Sequence, residues 1–362
     1  MKKNQFNFYR LFRNKKVLVT GHTGFKGSWL SSWLILLGAK VIGISLPKSE
    51  NSRHFEILRL SKSIHDFRFD ICDYPKLNKV IKTYKPDFIF HLAAQSLVLK
   101  SYQQPLKTWK TNVFGTLNLI ECLKSLKKNC CAIIITSDKC YLNVEKKEGY
   151  KETDRLGGLD PYSASKASAE FVVKSEINSF FKNNKKIRIV TARAGNVIGG
   201  GDWAKNRIIP DYIKSIISKK ILKIRNPNAT RPWQHVLEPI YGYLTLASVL
   251  KIKKNLHGNS FNFGPNQYSN KRVIDVIHQM KKNSIYGKWK ILKFSKAKKL
   301  ESQLLQLNCS KAKKLLNWST KLNFYQTIKL TADWYNSYLK NKGKNKIITF
   351  NQIQNFMRII EK

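Results

Sequence analysis

Two short stretches carry side chains able to move protons. Ser137-Asp138-Lys139 sets a hydroxyl, a carboxyl and an amine side by side, and Tyr162 and Lys166 set a phenol and an ammonium four residues apart. On a helix that spacing puts Tyr162 and Lys166 on one face. There the ammonium can lower the phenol's pKa, so that tyrosinate accepts a hydroxyl proton during hydride transfer. Tyr-x-x-x-Lys recurs at Tyr286/Lys290, Tyr325/Lys329 and Tyr338/Lys342, as a lysine-rich chain would have it. At those sites the plain reading is a half-buried tyrosine beside an exposed lysine. Only Tyr162 lies in a small-residue helix, Pro-Tyr-Ser-Ala-Ser-Lys-Ala-Ser-Ala-Glu, 25 positions after the serine.

Hydride chemistry needs a carrier, and the segment 16–45 reads as half of a dinucleotide-binding fold. Val17 to Thr20 is a short, apolar, β-branched strand of the kind buried on both faces. Gly21, Gly24 and Gly27 follow, with Thr23 and Phe25 between them. Such a turn bends tightly, lets backbone approach a pyrophosphate and aims helix N-terminal amides at the anion. Trp29, Leu30, Trp33, Leu34 and Leu37 then recur at helical spacing until Gly38, and Val41 to Ile44 begins a second strand. That strand ends Ile44-Ser45-Leu46-Pro47, without the acidic residue that often holds the adenine ribose, so its residues alone do not separate NAD from NADP.

Further along, Phe67 to Ile71 reads as strand three and Pro75 to Tyr84 as a helix. Asp87 to Ala94 is a strand ending in small residues, among them Ala93, where a dinucleotide could lie close. Trp109 to Leu126 is an amphipathic helix holding Asn112, Ala132 to Thr136 a fifth strand, Pro161 to Phe181 a helix and Ile187 to Ala192 a strand. The alternation predicts an α/β fold: a Rossmann-type, doubly wound parallel sheet. Regularity is lost after Asn196, which suggests a smaller C-terminal α/β substrate domain. The expected division is residues 1–195, with about 234–262, for the NAD-binding domain. Residues 196–233 and 263–340 are expected to form the substrate domain, and 341–362 a basic tail that could form a helix.

The net charge of +45 raises nucleic-acid binding, but only 13 of the 67 basic residues are Arg and the lysines are spread over the whole chain with many Asn and Ile. That pattern fits A/T-rich coding better than a phosphate-reading surface, and the field favours anionic substrates. The six cysteines form no C-x-x-C pair, and the seven histidines are dispersed, so no metal site is expected. No apolar run reaches the ~18 residues of a membrane span and the basic N-terminus lacks a signal-peptide core, so a cytoplasmic location is expected.

The chain resembles the extended short-chain dehydrogenase/reductases. Within them it resembles the nucleotide-sugar 4,6-dehydratases, in the branch that acts on CDP-glucose. The carrying motifs are TGHTGFKGSWL (20–30), TSDKCY (136–141), DPYSASKASAE (160–170), RAGNVIGGGDWAKNRIIPD (193–211) and RNPNATRPWQHVLEP (225–239). The last two discriminate, because epimerases, reductases and dehydratases share the others. The G-x-x-G-x-x-G spacing also belongs to this family, and the resemblance places Asp70 and Ile71 at the adenine.

The resemblance implies NAD as cofactor and CDP-glucose as substrate. Tyr162 would take the O4 proton with Lys166 beside it, Ser137 would hydrogen-bond O4, and Asp138 would protonate the departing O6 hydroxyl. Lys139 would be either the C5 base, in place of the glutamate of dTDP-glucose relatives, or a group that stabilises the enolate or pairs with Asp138. Asn196, Arg207 and Arg231 are the candidates for the diphosphate, since arginine offers phosphate a planar fork. Trp233 and His235 are equally readable as contacts or packing. Glu301 lies near a family His-Glu pair whose histidine is replaced by Leu300. A homodimer through a four-helix bundle of the Trp109 and Tyr162 helices is implied too. The rival readings are another nucleotide-sugar dehydratase or a 4-epimerase of the same fold, and a non-catalytic basic nucleic-acid-binding protein.

Overall fold

The computed structural model describes residues 7–47, 52–265, 270–292, 304–340 and 342–361. Seven strands form one parallel sheet. β1 (Lys16–Thr20), β2 (Lys40–Ser45), β3 (His65–Arg68), β4 (Phe88–His91), β5 (Cys130–Ile135) and β6 (Ile187–Ala194) are joined by the strand Ser260–Phe263. Their order is Ser260–Phe263, β6, β5, β4, β1, β2, β3. The chain runs outward from β1 to β3, then crosses to β4 beside β1, with Thr20 opposite His91. That reversal opens a crevice at the strands' carboxyl ends, where ligands of such sheets bind.

Alternate residues of each strand feed two apolar layers. Val17, Val19, Phe88, Phe90, Ile133 and Val190 pack with Trp29, Trp33 and Leu244 on one face. Leu18, Ile42, Ile89, Ile134 and Ile189 pack with Leu77, Leu119, Leu123 and Phe181 on the other. Among the described residues, three two-stranded pairs lie outside the sheet: Gln234–His235 with Val197–Ile198, Asn270–Arg272 with Thr230–Pro232, and Trp289–Ile291 with Leu222–Ile224.

Several boundaries differ from the sequence reading. Asp70 and Ile71 follow β3 in a turn rather than ending it. The expected helix Trp109–Leu126 begins earlier, at Pro105, and runs as Pro105–Trp109, a π-turn over Lys110–Phe114, and Gly115–Lys124. The returning segment, expected from about 234, opens with the strand Gln234–His235 and continues as the helix Leu237–Ile252. The lysine- and asparagine-rich ends both contribute to the core. Phe12 is fully buried against Phe88 and Phe90. The terminal helix Asn345–Glu361 sets Phe356 edge-on to Trp33 and Tyr241. Its apolar face, not its basic composition, decides where it goes. Glu301 and Leu300 lie outside the described residues.

Candidate active site

The glycine turn is closed by backbone. Gly21 has φ +73°, and a Cβ there would lie 2.8 Å from the Ala93 nitrogen. A Cβ on Gly27 would lie 2.1 Å from the Gly21 carbonyl oxygen. Only hydrogen fits at either place. Gly24 N-caps the helix Phe25–Leu36, which leaves its first amides facing the crevice. Thr23 Oγ1 and Ser45 Oγ, 2.6 Å apart, tie the turn to the end of β2. This cradle fits a pyrophosphate, and Ala93 adds no bulk to its wall. Asp70 accepts the Cys72 amide at 2.9 Å, while the Ile71 side chain is buried next to Gly115. Ile71 therefore has backbone, not side chain, to offer an adenine.

At the end of β5, Ser137 is extended and starts a short 3-10 turn, Asp138–Cys140. Its Oγ donates to Asp138 Oδ1 at 2.9 Å and accepts the Lys139 amide at 3.2 Å. Asp138 is buried, which raises its carboxyl above the ordinary aspartate range against the pull of Lys139, Ser137 and Lys26. Gly195 leaves room for it, since a Cβ there would stand 3.3 Å from Asp138 Oδ2. Lys139 is half-buried on the same turn.

Asp160 caps the Tyr162 helix, Pro161–Glu176, with Oδ1 accepting the amides of Tyr162 and Ser163 at 3.0 Å each. Pro161 takes the first position, where no amide is missed. Tyr162 and Lys166 are both buried on this helix. Lys166 Nζ donates to the Ile135 carbonyl at 3.4 Å. Burial lowers its pKa to about 8, while Glu170 and Cys140 pull it up. Tyr162 departs from expectation: burial pushes its phenol up to about 12, and the Ser137 hydroxyl is what pulls it back. Desolvation of the phenolate outweighs the pull of the Ser137 hydroxyl and of the positive Arg207.

Two further residues serve this group without a sequence signal strong enough to single out their task. Asn112, in the π-turn, accepts the Gln95 amide at 2.8 Å and donates to the Gln95 carbonyl at 3.0 Å and Ser165 Oγ at 2.9 Å. It thereby joins the loop after β4 to the Tyr162 helix. Lys26, one residue into the glycine-turn helix, is half-buried, and its pKa falls to about 8 through burial and the positive Arg207 and Lys166, with Asp138 pulling it up. A charge inside an otherwise apolar and glycine-rich turn was the available signal.

The diphosphate candidates are less gathered. Arg207 pairs with Asp202 at 2.9 Å, and its charge reaches Tyr162. Asn196 is exposed just after β6. Arg231 is on the outlying strand Thr230–Pro232, with Nη1 donating to the Thr230 carbonyl. Trp233 and His235 are packing residues: Trp233 donates to the Lys271 carbonyl, and the fully buried His235 stands edge-on to Trp29, its pKa lowered to about 3 by burial. Among the described residues no group of three His, Cys, Asp or Glu could hold a metal ion, and the cysteines are free thiols.

A hydroxyl, a phenol and a lysine at the carboxyl end of a doubly wound sheet, above a glycine cradle, define an extended short-chain dehydrogenase/reductase. The buried Asp138 adds an acid to that set. The chain matches the GDP-mannose 4,6 dehydratase family over residues 18–331 and belongs to it. It is 41% identical over 338 residues to the CDP-glucose 4,6-dehydratase of Salmonella typhimurium, covering 91% of this chain and 93% of the relative. It also resembles the structure of UDP-glucuronic acid 4-epimerase from Bacillus cereus in complex with UDP-glucuronic acid and NAD. There the TM-score is 0.74 at 25% identity, over 89% of this chain and 99% of the other. The dTDP-glucose 4,6-dehydratase of Streptomyces venezuelae superposes with TM-score 0.77 at 18% identity, over 92% and 99%, a likeness of fold alone.

Proposed function

We propose that this chain dehydrates CDP-glucose to CDP-4-dehydro-6-deoxyglucose, as an NAD-dependent hydro-lyase. The observation that carries the reading is the Asp138 carboxyl, buried and with a raised pKa beside Ser137 and Tyr162. An epimerase needs no acid for a leaving hydroxyl; a dehydratase does. The 41% identity to a CDP-glucose dehydratase supports the same substrate.

The cradle of Gly21, Thr23, Gly24, Phe25 and Gly27, walled by Ala93, is assigned to the NAD pyrophosphate, with Asp70 and the Ile71 backbone at the adenine. NAD, when bound, supplies the acceptor that takes hydride from the sugar C4 and returns it at C6. Tyr162 takes the O4 proton, its phenol ionised once Lys166 and the positive charge of bound NAD offset the burial that otherwise raises its pKa, and Ser137 orients O4. The resulting 4-ketone acidifies the C5 proton, which Lys139 removes. Asp138 protonates O6, water departs, and Lys139 gives the proton back to C5 as hydride is returned to C6. Asn196, Arg207 and Arg231 hold the diphosphate.

Residues 1–195 with 234–262 are assigned to the cofactor, and 196–233 with 263–340 to the nucleotide sugar. A homodimer through the Trp109 and Tyr162 helices is supported by exposed Leu106, Phe114 and Phe171 on those helices. The product suits deoxysugar synthesis for surface polysaccharide, in the cytoplasm, where no membrane partner is needed.

The test is incubation with NAD and, separately, CDP-, dTDP-, GDP- and UDP-linked hexoses, followed by mass spectrometry. Loss of one water from CDP-glucose alone is expected. An unchanged mass with a new C4 epimer, or no turnover of any substrate, would overturn the reading.

A further inference from the structure

Tyr162, Lys166 and Glu170 follow at four-residue intervals on one face of the Tyr162 helix. Glu170 and its partner Arg193, on β6, are 4% and 3% exposed. Glu170 Oε1 accepts from Thr136 Oγ1 and, at 2.9 Å, from Arg193 Nε. Oε2 accepts from Arg193 Nη2 and Thr191 Oγ1, each at 2.8 Å, and from Ser260 Oγ at 3.3 Å. Arg193 uses its remaining donors on Tyr141 Oη at 2.8 Å, the Glu152 carbonyl at 3.2 Å and Ser260 Oγ at 3.1 Å. All five guanidinium hydrogens are thus engaged.

Fold stability does not require such a pair. A buried ion pair is often no better than well-packed apolar residues of the same volume, because desolvation offsets the attraction. What distinguishes this one is where its contacts fall. Thr136 immediately precedes Ser137, and Tyr141 immediately follows the turn Asp138–Cys140. The pair therefore grips both ends of the turn that carries Ser137, Asp138 and Lys139, while Glu170 grips the helix that carries Tyr162 and Lys166.

We infer that Glu170 and Arg193 are positioning residues, which lock the Ser137–Lys139 turn in register with the helix that carries Tyr162 and Lys166. The inference rests on the reaction proposed above for its kinetic readout. The groups around Lys166 are Tyr162 and Glu170 on its own helix, Cys140 on the turn, His91 at the end of β4 and Lys26 on the glycine-turn helix. His91 is held neutral, its pKa lowered to about 3 by burial and the nearby ammonium. Lys26 repels the ammonium, and Cys140 is kept protonated by burial. Glu170 is the remaining permanent anion, so removing its charge leaves burial unopposed.

Two variants test this. Glu170→Gln keeps shape and most hydrogen bonds but removes the charge. Glu170→Leu with Arg193→Met removes both charges together, which guards against an unpaired buried cation and keeps the question answerable if the first variant fails to fold. The first readout needs no turnover: the pH dependence of Lys166 acetylation, followed by peptide mass spectrometry. The second is the pH profile of kcat, with KM for CDP-glucose.

In both variants Lys166 should titrate about one pH unit lower, with the alkaline limb of kcat moving down alongside it. In the double variant kcat at neutral pH should fall about 100-fold, as misplacement of a reacting group by an ångström does, with KM within about twofold. A merely structural pair would lower the melting temperature and leave the Lys166 titration in place; that result overturns the inference. If the wild-type protein does not dehydrate CDP-glucose, the proposed reaction fails, and acetylation of Lys166 still decides the role of the pair.

Discussion

Gly27→Ala tests the cofactor cradle by adding a single methyl group. The new Cβ would stand 2.1 Å from the Gly21 carbonyl oxygen and 2.8 Å from His22 Cα, both backbone atoms that cannot rotate away. An ordinary carbon–oxygen contact is about 3.3 Å, so turn and helix must part by roughly 1 Å. The amides at the start of the helix Phe25–Leu36 move by the same amount. A hydrogen bond of about 2.9 Å from such an amide to a phosphate oxygen then exceeds its working range. Losing two charge-assisted bonds at about 1.5 kcal/mol each costs about 3 kcal/mol, or roughly 150-fold in Kd.

Overpacking at one site costs about 1–3 kcal/mol of stability, so the variant should still fold. NAD affinity by calorimetry, beside a thermal melt, measures both. Gly38→Ala is the control: its φ of +71° is strained by a side chain, but the new Cβ meets nothing nearer than Arg13 Cγ at 3.4 Å. It should lose about 1 kcal/mol of stability and keep NAD affinity. A folded Gly27→Ala protein that binds NAD within threefold of wild type would refute the assignment of this turn.

Asp138→Asn should stop loss of water, lowering kcat by about 100-fold or more, while the first half-reaction still reduces NAD, visible as absorbance at the reduced nicotinamide. Lys139→Met should slow solvent exchange of the C5 proton to a similar degree; exchange at the wild-type rate would remove Lys139 from the role of base. Wild-type kcat should decline as pH rises through about 8, because Lys166, its pKa lowered by burial, is charged below that value and neutral above it. Glu238 gives the opposite kind of pH effect. Burial raises its carboxyl to about 7, so the folded state holds the proton more tightly than the unfolded one and stability falls as pH rises from about 4.5 to 7. Glu238→Gln should therefore melt a few degrees higher than wild type at pH 8 and lose that advantage near pH 4, whereas an advantage independent of pH would contradict the burial argument. Phe171→Asp should turn a dimer into monomers in light scattering; an unaffected mass would move the interface elsewhere.

The first half of the fold was legible because its signals are local. Val17 to Thr20, the glycines and the Trp29–Leu37 spacing lie within one stretch of about 20 residues, and each names its own element. Tyr162 and Lys166 were legible for the same reason, being one helical turn apart. The Tyr162 pKa was not, since it depends on how deeply the sheet and neighbouring helices bury the phenol. The grip of Arg193 on Glu170 spans 23 positions and joins a strand to a helix, a pairing that no spacing rule announces. Lys26 and Asn112 sit inside recognised elements, yet their tasks depend on what the fold brings opposite them. A helix in the basic tail was legible from its own spacing, but what Phe12 and Phe356 pack against was not, because their partners lie far along the chain.

The docking of Phe356 on Trp33 carries a consequence for the order in which the protein is made. The glycine-turn helix leaves the ribosome long before Phe356, the ring that stands edge-on to Trp33, has been joined. A nascent chain holding a complete parallel sheet still lacks the ring that packs against the Trp33 edge until Phe356 has been made. Premature stop codons after the catalytic residues would therefore release sticky, short-lived chains, although every reacting group had already been translated.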